Sequence, residues 1–136
     1  MSQGSAAATR ISRIPSPSPY ADPIGFCAAV RAGDTVWVSG VSAAGPDGDV
    51  VGGDDAYAQA HEVLGKLCDT LSAAGAAPED VVRTRIFLAR ATDWPEVGRA
   101  HGEVFGAAPP AATMVVAALL DPRMLVEIEA VAYVGP

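Results

Sequence analysis

The chain has few of the residues that mark nucleic-acid-binding or membrane proteins. Its 136 residues contain nine lysines and arginines against sixteen aspartates and glutamates, a formal net charge of -7, and no basic run. Binding to phosphate backbones needs a basic patch, so we expect no nucleic-acid partner. No apolar run approaches the roughly 20 residues that cross a bilayer, and the N-terminus lacks the pattern of a signal peptide. We therefore expect a soluble, cytoplasmic protein without a membrane partner.

Cysteine and histidine are also scarce. The two cysteines, Cys27 and Cys68, and the two histidines, His61 and His101, do not have the spacing of metal ligands. We expect free thiols, no metal site and no cofactor. Cys68 falls on an apolar helical stripe and is expected in the core, whereas Cys27 could line a cleft or be a buried inert thiol. His101 lies one helical turn from two apolar residues, which favours a packed histidine over a general base, and His61 is expected in solvent.

Composition divides the chain into two parts. Residues 1–17 are rich in serine, alanine and proline and cannot build a periodic apolar face, which predicts a flexible N-terminal arm. Residues 18–136 have the length and apolar content of one domain.

Apolar periodicity within that domain predicts the order β-β-α-β-α-β-β, an α+β fold with a mixed sheet and both helices on one face. Asp54 or Asp55 should cap the first helix, and Asp93 with Glu96 should form a capping box on the second. The predicted elements are a hairpin within 24–40, a helix over 54–74, a strand over 81–89, a helix over 93–106, and strands over 109–116 and 126–133. The last two strands are predicted to pair through a proline-containing turn.

The last strand indicates how the sheet is used. Its alternation places Val126, Ile128 and Ala130 on an apolar face and Glu127 with Glu129 on a second, half-apolar face. The strand over 81–89 is predicted to place Val82 with Thr84, Ile86 and Leu88, and to place Arg83, Arg85 and Phe87 on the face of the glutamates. Helices on one side leave that mixed face without a cover within the chain, which predicts a homo-oligomer.

Five segments in the same order resemble the Rid family, the reactive-intermediate deaminases also called the YjgF family. They are residues 18–20, 30–40, 71–75, 80–88 and 126–130. The resemblance implies a chorismate-mutase-like fold, a homotrimer, and ligand clefts between subunits. It also implies hydrolysis of imines or enamines, such as 2-aminoacrylate, to keto acids and ammonia. Where the family has an arginine that holds the substrate carboxylate, this chain has Ala112, which argues against ordinary deamination of 2-imino acids.

The same resemblance implies a set of site residues. Glu129 matches the carboxylate that holds the attacking water and is the predicted catalytic residue. The predicted substrate-binding residues are Tyr20, Ser39, Gly40, Phe87, Ala112, Thr113 and Met114. Arg83 and Arg85 are interpreted first as members of an ion-pair network. The alternative is that Arg85 reaches the cleft and replaces the family's arginine, which is absent at Ala112. Glu127 is interpreted as a rim or ion-pair residue, and His101 and Cys27 are lesser candidates.

Two classes of function fit these residues. The first is an enzyme, either an imine or enamine hydrolase or a divergent biosynthetic catalyst, that binds a small reactive metabolite in intersubunit clefts. The alternative is a non-catalytic small-ligand sensor or interaction protein on the same trimer. An endoribonuclease role conflicts with the acidic balance of the chain.

Overall fold

The computed structural model of the protein describes residues 10–136, which form one six-stranded sheet with three helices. The elements are β1 (Ile11–Ile14), α1 (Ala21–Ile24), β2 (Ala29–Ala32), β3 (Thr35–Ser42), α2 (Ala56–Ala73), β4 (Val81–Leu88), α3 (Trp94–Phe105), β5 (Ala111–Val116) and β6 (Val126–Tyr133). None of the described helices is long and apolar enough to cross a membrane.

The strand order is β1-β2-β3-β6-β4-β5, and only β4 and β5 pair in parallel. The predicted α+β class with a mixed sheet is confirmed, but the predicted pairing of the last two strands is wrong because β4 lies between them. Helix α3 returns the chain so that β5 runs parallel to β4 along its outer side. The connection over 117–125 then crosses the end of β4, where Ala117 donates to the Leu88 carbonyl and Ala89 donates to the Leu125 carbonyl.

The predicted flexible arm is wrong for Ile11–Ile14, which form β1 and pair antiparallel with β2. Ile14 packs against the core. Serine- and proline-rich sequence surrounds these four residues, so a window over the whole segment shows no periodicity. The first nine residues of the predicted arm lie outside the described part of the chain.

Helix α2 covers the middle of the sheet, as its apolar stripe predicts. Ala60, Leu64, Leu67 and Leu71 are buried in the core together with Val63. The Asp55 carboxylate accepts a hydrogen bond from the Ala58 amide at 3.0 Å and caps the helix. Gly75 adopts a φ of 84° just after the helix, a conformation that glycine tolerates best.

The predicted capping box of α3 does not form. Asp93 precedes the helix, but its carboxylate makes no capping hydrogen bond and instead accepts one from Arg90 Nε at 2.8 Å. Glu96 pairs with Arg99, also at 2.8 Å. Charged partners within three residues therefore compete successfully with the backbone amides at this helix start.

A register shift in β4 corrects the predicted faces of that strand. The pairing with β6 slips between Val81 and Arg83, so Val81 is buried while Val82 is 51% exposed. From Arg83 onward the prediction is correct, because Thr84, Ile86 and Leu88 are buried against the helices. One extra residue in a strand reverses the faces of the side chains before it and leaves those after it unchanged. The alternation of apolar and polar residues in the sequence does not reveal where such a residue lies.

The helices leave one side of the sheet uncovered, and we call this side the open face. Strand β6 alternates as predicted, with Val126, Ile128, Ala130 and Ala132 in the core. Cross-strand register places on the open face Thr35, Trp37 and Ser42 of β3, Arg83, Arg85 and Phe87 of β4, Ala111, Thr113 and Val115 of β5, and Glu127, Glu129, Val131 and Tyr133 of β6. Trp37 and Tyr133 are each 47% exposed there.

Candidate functional site on the open face

Glu129 lies in the middle strands of the open face beside an arginine. It is the register partner of Arg85 on β4, and the Arg85 Nε atom lies 3.7 Å from the Glu129 Oε2 atom. The two side chains are 50% and 37% exposed, so the ion pair is reachable from solvent. The predicted pairing of this arginine with the glutamate face is therefore present within a single chain.

A bulge in β3 lies directly across from Glu129. Val38 pairs with Ala130 and Val41 pairs with Ile128, so Ser39 and Gly40 together oppose the single residue Glu129. A glycine inside a strand is often found at such a β-bulge. The Ser39 hydroxyl donates to the Cys27 carbonyl at 2.7 Å, and the Ser39 amide donates to Ala28. These contacts tie the bulge to the segment that enters β2.

Cys27 lies beside this bulge, but its thiol is turned to the backbone. The Cys27 Sγ atom contacts the Ala29 carbonyl oxygen at 3.3 Å, and the side chain is half-buried. The other thiol, Cys68, is also half-buried, and burial raises its pKa, which favours the unreactive protonated form.

Glu127 is the second carboxylate of the open face. Its register partners are Phe87 on β4 and Ser42 on β3. Its carboxylate occupies the space where a side chain of Gly40 would begin, since a methyl group at position 40 would overlap with Glu127 Oε2. Burial raises the pKa of Glu127, and the neighbouring charge of Glu129 raises it further.

The three predicted site residues of β5 do not share a face. Thr113 is in register with Arg85 on the open face, and its hydroxyl accepts a hydrogen bond from Arg83 at 2.7 Å. Ala112 and Met114 are in register with Thr84 and Ile86, on the helix side. Because β5 is an edge strand, Ala112 stays exposed all the same.

Neither His101 nor Tyr20 is hydrogen-bonded to Glu129. The His101 Nε2 atom lies 2.9 Å from the Thr84 hydroxyl, and its ring centroid lies 4.7 Å from that of Phe105. Burial lowers the pKa of His101, so these are the contacts of a packed neutral histidine on the helix side. Tyr20 precedes α1 and is 66% exposed, with the Ser18 hydroxyl accepting from its backbone amide.

Glu129 lies outside the two main surface depressions of residues 10–136. Two surface depressions, of about 290 and 550 Å³, lie between α2 and α3 and beside the loops at 49–54 and 122–125, and neither includes Glu129. His61 and Cys68 line the first. Over residues 10–136 no cluster of three histidine, cysteine or acidic side chains could hold a metal ion.

Two features of the site were not predicted from sequence. The first is the hydrogen bond from Arg83 to Thr113, and the second is the position of the Glu127 carboxylate over Gly40. The spacing of Glu127 and Glu129 in the strand predicts two carboxylates on one face of the sheet. Their different partners depend on the register of three strands, which a single sequence does not reveal.

Comparison with known proteins agrees with this architecture. The sequence profile of the family described as Endoribonuclease L-PSP matches residues 19–134. The chain is 39% identical over 127 residues to an uncharacterised protein of Streptomyces coelicolor, covering 92% of this chain and 93% of that one. It is 36% identical over 109 residues to the 3-aminoacrylate deaminase RutC of Acinetobacter baylyi, covering 80% and 86%.

A solved structure gives the same result. The Mycobacterium tuberculosis member of the YjgF/YER057c/UK114 family superposes with a TM-score of 0.82 at 39% identity, covering 91% of this chain and 99% of that one. The match spans the sheet that carries Glu129 and the helices behind it. The chain therefore belongs to the Endoribonuclease L-PSP family, the YjgF family that also includes the Rid and RutC proteins.

Proposed function

We propose that the protein is a homotrimeric hydrolase of a small imine or enamine, with Glu129 activating the attacking water in clefts between subunits. The observation that carries this proposal is the position of Glu129. It is a solvent-reachable carboxylate with an arginine partner at 3.7 Å, opposite a bulge, on a sheet face that no element of residues 10–136 covers.

The exposed apolar side chains of the open face support the assembly. Trp37 and Tyr133 remain about half exposed, and Val131, the register partner of Trp37, lies on the same face two residues before Tyr133. Apolar surface of this kind in one continuous sheet face marks an interface. Docking of neighbouring copies there would turn a flat surface into clefts and would place Glu129 in one of them.

Residues of the open face can activate the water that attacks the substrate. The Glu129 carboxylate accepts a proton from water as the water oxygen attacks the carbon of the C=N bond. Arg85 orients that carboxylate through their ion pair. We assign backbone donors at Gly40 and Thr113 to a later step, in which negative charge develops on the hydroxyl oxygen as the carbinolamine collapses to the carbonyl and releases ammonia.

Arginines on β4 compensate in part for Ala112. Arg83 reaches Thr113, the residue that follows Ala112, and Arg85 is in register with Thr113. The site therefore keeps two positive charges beside β5, from a neighbouring strand. The similarity to a 3-aminoacrylate deaminase supports an anionic enamine as substrate, held by Arg85. This geometry differs from that of an arginine at position 112, so we expect ordinary 2-imino acids to be poor substrates.

A coupled assay tests the proposal. Freshly generated 3-aminoacrylate and 2-aminoacrylate are offered in parallel, and release of ammonia is measured above the spontaneous rate. We expect turnover, with a preference for 3-aminoacrylate, and loss of about 10²- to 10⁴-fold in Glu129→Gln. Glu79→Gln, an exposed carboxylate on a short turn, is the matched control and should behave as wild type. Absence of turnover with both compounds would contradict the proposal.

The loss of the family arginine at position 112 also favours a second candidate, a ligand sensor. A sensor would bind a stable keto acid, such as pyruvate, without turnover. Its affinity would survive Glu129→Gln and would fall in Arg85→Gln, which calorimetric titration of both variants would measure.

A further inference from the structure

Arg83 is a half-buried cation of the open face without an acidic partner. Its neighbour on the same face of β4, Arg85, forms an ion pair with Glu129. No carboxylate of residues 10–136 lies within ion-pairing distance of Arg83. Acidic residues outnumber basic ones in this chain, which has a formal net charge of -7. The isolation of this guanidinium group therefore needs an explanation.

Other half-buried cations have their donors occupied by the backbone. Arg31 and Lys66 each donate to two backbone carbonyls, at 2.7 to 2.9 Å. Within the described residues, Arg83 makes a single hydrogen bond, to the neutral hydroxyl of Thr113 at 2.7 Å. A guanidinium group carries five N–H donors, so most of those of Arg83 are free to bind an anion.

The bond to Thr113 determines where the Arg83 guanidinium lies. Arg83 is in register with Ala111, whereas Thr113 lies two residues further along β5 and is in register with Arg85. The Arg83 side chain therefore leans toward this second register row, which also holds Glu129. Two guanidinium groups and one carboxylate meet there, so the row has an excess of positive charge.

We propose that Arg83, together with Arg85, holds the carboxylate of an acidic enamine substrate and makes the site select acidic substrates over neutral ones. This inference rests on the proposed function, from which it takes the acidic enamine. It adds the residue that supplies the uncompensated charge, because Glu129 offsets the charge of Arg85. Charge-assisted hydrogen bonds from guanidinium to carboxylate are stronger than neutral ones.

Small and apolar neighbours leave this guanidinium open to a ligand. Ala111 and Ala112 begin β5 and are exposed at the edge of the sheet. On the β6 side the register partner of Arg83 is Val131, which cannot neutralise a charge. A carboxylate that arrives from solvent therefore meets no competing acidic group of the described chain at Arg83.

The test is an NMR titration of the β5 backbone amides with crotonate and with crotonamide at constant ionic strength. These stable probes share a carbon skeleton and differ in charge. We expect wild type to bind crotonate at least tenfold more tightly than crotonamide. Arg83→Gln should lose about tenfold in crotonate affinity and stay within twofold for crotonamide. Arg99→Gln, at an exposed ion pair on α3, is the matched control and should keep the wild-type preference.

Two further sets of variants separate charge and tether from packing. Arg83→Lys keeps a charge and should recover part of the crotonate preference. Thr113→Ser keeps the hydroxyl that positions the guanidinium and should bind crotonate as wild type does. Thr113→Val has a similar shape without that acceptor and should lose about threefold. Equal crotonate affinity in the serine and valine variants would contradict the position assigned to the Arg83 side chain.

Turnover gives a second readout. The KM for 3-aminoacrylate should rise about tenfold in Arg83→Gln, with kcat within about threefold of wild type. The reason is that the substrate carboxylate does not react and is held equally in the ground state and the transition state. A fall in kcat with an unchanged KM would contradict a binding role for Arg83.

The outcomes separate this inference from the function beneath it. Retention of the crotonate preference in Arg83→Gln overturns the inference, whether or not the wild type is active. An inactive wild type whose crotonate preference depends on Arg83 contradicts hydrolysis and supports the anion site. Dissociation of the assembly in Arg83→Gln, measured by analytical ultracentrifugation, would show that Arg83 pairs with a neighbouring copy and would overturn its role toward substrate.

Discussion

At the scale of single residues, Gly40 shows how a missing side chain can shape a site. Its φ is not in the left-handed region, so the backbone there does not demand glycine. Space demands it, because the Glu127 carboxylate fills the volume that a Cβ atom would take. The glycine thus supports a carboxylate on the next strand rather than a turn of its own.

We expect Gly40→Ala to reduce activity more than stability. The obstructing atoms belong to the far end of a flexible side chain, so Glu127 can swing away, and the free energy of unfolding should change by less than about 1 kcal/mol. Gly40 is a predicted substrate-binding residue opposite Glu129, so an added methyl group and the displaced carboxyl group should change the site, and kcat should fall at least tenfold. Urea denaturation and the ammonia assay measure the two effects. Loss of stability with full activity would contradict this account.

His101 gives a prediction about pH. Burial lowers its pKa in the folded chain, so the unfolded chain binds the proton more tightly. The stability contributed by neutral His101 is complete above the ordinary histidine pKa of about 6.5. It is lost as pH falls through the lower folded value.

We therefore expect His101→Gln to flatten the loss of stability below about pH 6.5, as measured by urea denaturation at several pH values. His61→Gln, at an exposed position on α2, is the matched control and should keep the wild-type pH dependence. Equal flattening in both variants would show that burial of His101 is not the cause.

At the scale of elements, the sequence predicts what depends on local pattern. The alternation of β6 and the apolar stripe and cap of α2 follow from neighbours within a few residues. The predictions from sequence are wrong where the structure depends on residues far apart in the chain. The insertion of β4 between β5 and β6 and the capture of Asp93 by Arg90 are such cases. The division of Ala112 and Thr113 between two faces likewise depends on pairing with β4.

Gln59 on α2 is another residue whose role only the fold reveals. It is fully buried, its amide nitrogen donates to the Gly53 and Arg123 carbonyls at 2.6 and 2.9 Å, and its oxygen accepts from the Leu125 amide. We expect Gln59→Leu to destabilise the fold by on the order of 3 kcal/mol, since it leaves buried backbone groups without partners. Chemical denaturation would measure this loss. Glu62→Leu, one turn along the same helix, should cost far less, and a similar cost for both would contradict the role of Gln59.

At the scale of the whole molecule, the open face predicts self-association. Analytical ultracentrifugation at micromolar concentration should give a trimer. Val131→Asp should dissociate it, because an unpaired charge would be buried in the interface. The control Leu120→Asp changes a fully exposed loop residue and should leave the assembly intact. A monomeric wild type would contradict both the assembly and the clefts that the proposed chemistry requires.

The bulge at Ser39–Gly40 affects which single-residue deletions the chain can tolerate. Removing either residue would restore a regular ladder with β6, with Val41 still opposite Ile128 and Ser42 opposite Glu127, and would remove the bulge that faces Glu129. The exposed turn over 46–48 lies outside the ladder with β6. Single-codon deletions should therefore preserve the fold at both places, and only those at the bulge should reduce activity, so the spacing of this strand is as informative as its composition.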